Sequence, residues 1–308
     1  MTKPTFALIG CGYVGPKHAR AIKQAGGTLK AANDMHDNVG WLDKDWMGCA
    51  FTCEPLDADM DPCELPSWST RWAERANPDW IVIATPNDMH AVMIERYLPL
   101  AKVGVICEKP MFLSTEDLET LDSLRGSCGK RLHTILNLRH SGPALRAREW
   151  ARQNAPSIVD ITYISPRGEW YEKSWKEDQK RSGGIIFNLG IHILDWIVWT
   201  FGTPSKATLT EDVSDGVVIN LAYAEGVSHA FYGECEIKIV LSTSMDHQPE
   251  RTIRMTKGDE CGRVFDLTNE FAELHTECYR EILAGGGPGI EDARPSIALA
   301  QELTKGLS

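Results

Sequence analysis

The sequence predicts an α/β chain: a doubly wound parallel-sheet domain followed by an α+β domain with a large, mostly antiparallel sheet. Three observations predict it. Residues 5–10, TFALIG, form an apolar strand that runs straight into Gly10-Cys11-Gly12-Tyr13-Val14-Gly15 and then a helix-like stretch from Pro16. Apolar strand-like runs and helical stretches then alternate to about residue 136. Beyond about residue 207 the pattern changes to successive strands joined by short turns, which favours antiparallel pairing. The expected division is residues 1–138 for the first domain and 139–308 for the second.

Strand, G-x-G-x-x-G, helix is the Rossmann arrangement for a dinucleotide. Gly10 allows the tight turn, Gly12 lets the backbone approach a pyrophosphate, and Gly15 lets the helix sit close to the strand. Tyr13 and Val14 complete the loop, Pro16 suits a first helical turn, and the helix N-terminus offers N–H groups to phosphates. A second strand over 28–32 leads to Asn33-Asp34. Asp34 falls 19 residues after Gly15, near the spacing of the acid that binds the adenosine ribose. Its carboxylate repels a 2′-phosphate, so NAD is favoured over NADP. The alternative is a turn aspartate that caps the next segment.

Residues 35–66 carry Trp41, Trp46 and Phe51 in a stretch rich in Asp, Pro and Cys, with a third strand expected near 50–53. A helix over 67–76 has Ser67 as its candidate N-cap. The strand over 80–84 ends in Thr85-Pro86-Asn87-Asp88-Met89-His90. Asn87 and His90 therefore sit at a strand-to-helix turn on the ligand edge. His90 either lines the cofactor site or packs against the first turn of a helix over 88–98. The next strand, around Val103, Val105 and Ile106, stops at Glu108-Lys109-Pro110. Pro110 has no N–H and biases Lys109 away from helical geometry. A lysine is thus held at the carboxyl end of a strand, where open α/β sheets place their ligands. It can serve as a general acid or base, or share a proton with a substrate hydroxyl. A surface lysine on a plain connecting loop is the other reading. Ser114 and Asp117 stand in capping-box positions for a helix to about residue 124. A strand over 131–136 closes this half near Asn137-Leu138-Arg139-His140.

The second half opens with a helix from Ser141-Gly142-Pro143 to about residue 153 and a strand over 158–164. A polar aromatic loop follows, with Trp170, Tyr171 and Trp175 interleaved with Arg167, Lys173 and Lys176. Stacking plus phosphate or carboxylate pairing suits a sugar or a nucleotide. A solvated loop with its aromatics tucked inward is the alternative. Residues 182–196 read as one helix, nearly apolar all round and therefore buried. Asn188 and His192 share a face at i, i+4, and Asp195 is placed to hold a ring nitrogen of His192. That much buried polarity needs partners or a function. Strands are expected over 217–224, 228–232, 237–242 and 251–256, then helices over 268–283 and 291–303.

Composition narrows the function classes. A net charge of -11 with no basic stripe argues against nucleic acid or an anionic membrane as partner. No uninterrupted apolar run reaches the ~18–20 residues of a membrane span. The N-terminus enters a strand without a signal-peptide pattern, so a cytoplasmic location is expected. The nine cysteines show no C-x-x-C pair and read as reduced, buried thiols. Cys49, Cys53 and Cys63 lack a histidine to close a zinc site, and no metal is expected.

The Rossmann start, the Glu108-Lys109-Pro110 tripeptide and the Gly-Gly…Gly-x-His-x-x-Asp helix together resemble the glucose–fructose oxidoreductase/inositol dehydrogenase (Gfo/Idh/MocA) family over nearly the whole chain. Several segments look closer to its nucleotide-sugar branch, the WlbA/WbpB-type UDP-N-acetyl-2-amino-2-deoxyglucuronate dehydrogenases. They are 137–140, 161–165 leading into 167–176, 187–192, and 274–276 followed by 279–285. This resemblance implies NAD-dependent oxidation of the C3 hydroxyl of a UDP-N-acetylglucosaminuronic acid-type sugar, for O-antigen or lipopolysaccharide synthesis. His192 is then the base and Lys109 holds the reacting oxygen. The cofactor set it implies is Gly10, Gly12, Tyr13, Val14, Gly15, Asp34, Thr85, Pro86, Asn87, His90, Glu108, Lys109, Asn137 and Trp175. The substrate set is Lys109, Arg139, Arg167, Trp170, Tyr171, Lys176, Asn188 and His192. Many family members carry Asp at the position of Asn188; Asn takes no proton, so it orients or hydrogen-bonds. The resemblance also implies homotetramers, and in some members reoxidation of NADH by 2-oxoglutarate. A free sugar or inositol as substrate, and a non-catalytic NAD-binding sensor, are the alternatives.

Overall fold

The computed structural model describes residues 2–35, 49–53, 70–212, 216–224, 234–258, 262–268 and 273–305. The Ser67 cap, the strand over 228–232, and Trp41, Trp46 and Cys63 lie outside the described residues. The chain divides into two units: 1–135 with 275–291, and 136–274 with 292–308.

The first unit holds six parallel strands: β1 (Thr5–Ile9), β2 (Thr28–Asp34), β3 (Ala50–Cys53), β4 (Trp80–Ile83), β5 (Gly104–Cys107) and β6 (Arg131–Thr134). Their order is β3-β2-β1-β4-β5-β6, so the connections reverse direction between β1 and β4. Ligands of such sheets bind outside the carboxyl ends at that switch point. β4 and β5 are buried at every residue, which is why they read as unbroken apolar runs rather than alternating ones. The connecting helices are α1 (Gly15–Gln24), α2 (Arg71–Ala76), α3 (His90–Tyr97) and α4 (Thr115–Cys128). Ser114 caps α4 as its sequence predicts, its Oγ accepting the Asp117 N–H at 3.1 Å. The late helix α9 (Leu274–Leu283) returns to this unit, where Cys278, Tyr279 and Ile282 join Phe6, Leu8, Ile22, Val82 and Ile106 in one core.

The second unit is built on a six-stranded sheet of β7 (Ile158–Ile164), β8 (Lys206–Asp212), β9 (Gly216–Tyr223), β10 (Cys235–Ser242), β11 (Glu250–Thr256) and β12 (Arg263–Asp266), in the order β12-β11-β7-β10-β9-β8. Four of its five pairings are antiparallel, and β7–β10 at the centre is parallel. A parallel neighbour needs a long crossover, and the chain between β7 and β10 supplies one. β8 and β12 went unread in the sequence because they are edge strands, KATLTED and RVFD, with little apolar alternation. The helices are α5 (Gly142–Asn154), the short α6 (Glu169–Glu172) and α7 (Gln179–Ser182), α8 (Ile191–Phe201) and α10 (Ile290–Thr304), which begins in the first unit.

The expected single helix over 182–196 is broken. Gly183 takes φ +77° and ends α7, and residues Ile186–Gly190 form a π turn before α8 begins. Asn188 therefore sits in a wider turn, not on one α-helical face with His192. The run Gln179–Phe201 is apolar and long enough to cross a bilayer by length and composition alone. Of that window 72% is buried inside the chain's own fold, with Trp196, Ile197 and Phe201 fully enclosed, as in a core helix.

Candidate active site

Three loops leave the carboxyl edge of the first sheet, after β1, β4 and β5, and each carries residues the sequence singled out. In the first, Gly10 turns the chain at φ +84°, and its N–H donates to the Asn33 carbonyl at 3.0 Å. Gly12 faces open space, with nothing within 4 Å of where a Cβ would stand. That is the room a pyrophosphate needs against the backbone. Tyr13 is exposed, with the Lys17 ammonium 4.9 Å from its ring centre. Val14 precedes α1 and packs partly on the core; no side chain caps the helix, so its first turn keeps its affinity for an anion. Asp34 ends β2, and its Oδ2 accepts the Cys11 N–H at 2.6 Å, so the acid lies directly beneath the glycine loop.

The second loop holds Thr85, Pro86 and Asn87. Thr85 Oγ1 is buried without a hydrogen-bond partner among the described residues, and Asn87 is buried beside it in sequence. An open glycine cradle, an acid at the end of β2 and an orphaned hydroxyl across the switch point fit a dinucleotide. His90 has the packing role of the two open to it. Its ring is fully buried, with Nδ1 2.7 Å from the Pro110 carbonyl and Nε2 3.1 Å from the Thr85 carbonyl. Neutral in this burial, the ring has one N–H to give, and the 2.7 Å contact makes it a donor to the Pro110 carbonyl of the third loop while its other nitrogen packs on the second.

In the third loop the Lys109–Pro110 peptide is cis. Glu108 turns inward. Its Oε1 lies 2.9 Å from His275 Nε2 and 3.2 Å from His18 Nε2, and its Oε2 accepts the Lys109 N–H at 3.1 Å. His18 Nδ1 is 2.9 Å from the Tyr279 hydroxyl. Burial holds His18 below its ordinary value of 6.5 against the pull of Glu108, so the ring is neutral and accepts from Tyr279 at Nδ1. Burial pushes the Glu108 carboxyl up, but the N–H groups that the two imidazoles point at it outweigh it and hold it well below the usual range. His18, Glu108 and His275 also form the one group of three among the described residues whose ligand atoms all lie within 4.8 Å of one another. Of these contacts, the one from His275 Nε2 to Glu108 is a hydrogen bond, while His18 Nε2 lies 3.2 Å from the same oxygen.

These shifts set a pH dependence. His18 and His90 are both lowered by burial from 6.5, so the unfolded chain binds protons that the folded chain refuses. Their contribution to stability is complete above pH 6.5 and is lost as pH falls through that value toward their folded pKa. The depressed Glu108 adds a further loss of the same sign below its ordinary 4.5. Melting temperature measured from neutral pH downward should therefore fall by several degrees; a flat profile to pH 4.5 would contradict the buried neutral histidines.

In the second unit, Arg139 is committed to ion pairs. Its Nε and Nη2 donate to the two oxygens of Asp195 at 3.1 and 2.9 Å, and its Nη1 donates to Asp292 at 2.8 Å. Asp195 is therefore the partner of Arg139 and not of His192. Burial pushes the Asp195 carboxyl up against the pull of that guanidinium. With all three guanidinium nitrogens engaged, Arg139 is a structural residue in this geometry, not a free anion ligand. Asn137 is buried on the preceding turn, and His192 is half-buried on α8.

The aromatic loop presents Trp170 to solvent, 52% exposed, between two cations. The Arg167 guanidinium lies 5.9 Å from its ring centre and the Lys176 ammonium 5.4 Å, the latter also 5.8 Å from Trp175. Tyr171 is buried, and its hydroxyl accepts the Asn188 Nδ2–H at 2.9 Å, joining the loop to the π turn. Lys173 instead pairs with Glu169 on an exposed helical face. Sequence reasoning missed His18 and gave His275 and Tyr279 no role. The one available signal was a histidine three residues after Gly15, on the buried face of an amphipathic helix.

A model for an oxidoreductase family with an NAD-binding Rossmann fold matches residues 5–135, and the GFO/IDH/MocA C-terminal domain matches residues 154–258. The inositol 2-dehydrogenase of Rhizobium meliloti is 28% identical over 213 residues, 68% of this chain and 58% of that protein. The Escherichia coli oxidoreductase YdgJ is 26% identical over 207 residues, covering 66% and 55%. The chain thus spans little more than half the length of these curated relatives. Among solved structures, the WlbA (WbpB) dehydrogenase of Thermus thermophilus in complex with NAD and UDP-GlcNAcA superposes with a TM-score of 0.81 at 29% identity, over 97% of this chain and 94% of that one. The same dehydrogenase in complex with NAD and alpha-ketoglutarate matches equally well.

Proposed function

The chain belongs to the Gfo/Idh/MocA oxidoreductase family, with an NAD-binding Rossmann domain, and from that premise we propose that it oxidises the C3 hydroxyl of a UDP-N-acetylglucosaminuronic acid-type sugar to the 3-keto sugar. The observation that carries this reading is the exposed Trp170 flanked by Arg167 and Lys176, a stacking platform with two phosphate- or carboxylate-pairing cations. The 29% identity to a dehydrogenase whose structure holds UDP-GlcNAcA supports it.

In the proposed reaction an imidazole nitrogen of His192 takes the proton of the C3 hydroxyl. Lys109 Nζ donates a hydrogen bond to the same oxygen and stabilises the charge that develops as the carbonyl forms. Bound NAD would supply the acceptor for the hydride of C3. Gly12 and the first turn of α1 would hold its pyrophosphate and Asp34 its ribose, with Thr85 Oγ1 as a polar contact at the switch point. Asn188, held by Tyr171, orients the sugar and takes no proton. Arg139 drops out of the substrate set, since Asp195 and Asp292 occupy it. The proposal extends to a cytoplasmic homotetramer in surface-polysaccharide synthesis that recycles its cofactor with 2-oxoglutarate.

The test is a mixture of protein, NAD and UDP-GlcNAcA, with and without 2-oxoglutarate, followed by NADH absorbance and nucleotide-sugar mass. Loss of two hydrogens from the sugar is the expected result, and absence of turnover sinks the substrate assignment. Arg167→Ala and Lys176→Ala should each raise KM for the UDP-sugar by about ten- to a hundredfold, the worth of a charged hydrogen bond, and barely change turnover of a free sugar. Unchanged UDP-sugar kinetics in both would turn the search to inositol or free sugars, the reading that the inositol 2-dehydrogenase relative favours.

A further inference from the structure

We propose that His275 is a positioning residue for Lys109, acting through Glu108, so that α9 sets the geometry of the lysine turn. The inference deepens the function proposed above and rests on it for the role of Lys109.

Three buried histidines pin the turn from both sides. On one side, Glu108 Oε2 accepts the backbone N–H of Lys109 at 3.1 Å, which fixes the start of the lysine. Glu108 can do this only if its carboxylate is itself held, and its other oxygen is held by His275 at 2.9 Å, with His18 Nε2 packed 3.2 Å away. On the other side, His90 Nδ1 meets the carbonyl of Pro110 at 2.7 Å. The backbone atoms flanking the lysine side chain are therefore fixed by groups from α1, α3 and α9.

Of these groups, His275 is the farthest in sequence, 167 residues from Glu108. It and Tyr279 stand at i, i+4 on α9, on one helical face. Tyr279 closes the far side of His18, and Thr276 Oγ1 donates to Gln24 Oε1 at 2.6 Å. A helix needed only to cover the core would do so with apolar side chains, since a buried ionic network is poor value for stability alone. α9 instead spends a histidine and a tyrosine on a carboxylate adjacent to the proposed catalytic lysine. The titratable groups that face Glu108 are His18 from α1, His90 from α3, Cys107 from β5, and His275, Cys278 and Tyr279 from α9, with Lys109 next in the chain.

The test compares His275→Phe, which fills the site without a donor, with His275→Gln, which restores an N–H near the position of Nε2. Wild type and variants are assayed with NAD and UDP-GlcNAcA. Independently of any sugar, the reactivity of the Lys109 amine toward acetic anhydride is followed across pH by peptide mass spectrometry. His275→Phe should lower kcat about ten- to a hundredfold, as expected for one lost hydrogen bond to a charged group. KM for NAD should stay within about threefold, which is under 1 kcal/mol, and the Lys109 labelling curve should shift. His275→Gln should recover most of both. Glu108→Gln, which keeps shape and loses the charge, should reproduce the Phe phenotype and decides the matter if His275→Phe does not fold. The proposal is overturned if Lys109 labelling and kcat are untouched in all three. It is also overturned if NAD affinity falls in step with kcat, or if the purified protein holds a stoichiometric metal that His275→Gln releases. Absence of sugar turnover in wild type would count against the substrate reading alone, because the labelling curve still reports on the brace.

Discussion

Lys109→Met lowers kcat for sugar oxidation by about 10²–10⁴-fold, the range for losing a positioned proton-sharing group, while NAD still binds. The position of the lysine makes the effect large. β5 is fully buried, and the chain leaves it at the carboxyl edge of the sheet, within a turn held by Glu108 and His90. Met matches the length and apolar stem of Lys and leaves those backbone bonds in place, so the variant removes the ammonium and little else. Titration of NAD binding by fluorescence, alongside turnover, separates chemistry from cofactor loss. An unaltered kcat would remove Lys109 from the mechanism and leave the buried histidine brace without a purpose.

Gly10→Ala should prevent a properly folded cofactor site. An added Cβ would lie 2.5 Å from the Ala84 carbonyl carbon and oxygen and 2.7 Å from the Thr85 nitrogen. These are backbone atoms of the neighbouring central strand and its loop, and they cannot swing aside as a flexible side chain would. Overpacking of this kind costs about 1–3 kcal/mol, and the left-handed φ of +84° adds roughly 1–2 kcal/mol for an L side chain. Gly12→Ala is the informative contrast. Its Cβ meets nothing, so stability should be near wild type while NAD affinity falls, because the methyl occupies the room left for the pyrophosphate. Melting temperature and NAD affinity measured on both variants test this separation. Equal stability loss in the two would show that the two glycines do not differ in the way their surroundings indicate.

The features legible in the sequence are those whose cause is local. A glycine that must turn, an unbroken apolar run between two covered faces, a serine three residues before its capping partner, and a proline that stops a strand all act within a few residues. The nucleotide-binding half was therefore readable, down to Lys109 at the end of β5. The π turn in the long apolar helix was not, because nothing in Ile186–Gly190 distinguishes a wide turn from an ordinary one until the flanking segments are packed. Edge strands β8 and β12 escaped because their pairing partner, not their own composition, makes them strands.

By itself, then, the sequence determined the Rossmann unit, the antiparallel character of most of the second sheet, the family, and the candidate lysine and histidine. Only the tertiary structure decided where the buried charges go. Arg139 and Asp195, 56 residues apart, neutralise each other, which takes the arginine from the substrate and the aspartate from His192. Glu108 is drawn inward by His18 and by His275 from a helix that returns to the first sheet after the second has been built. A buried charge must find its complement wherever the fold brings one, and the distance along the chain to that complement carries no local signal.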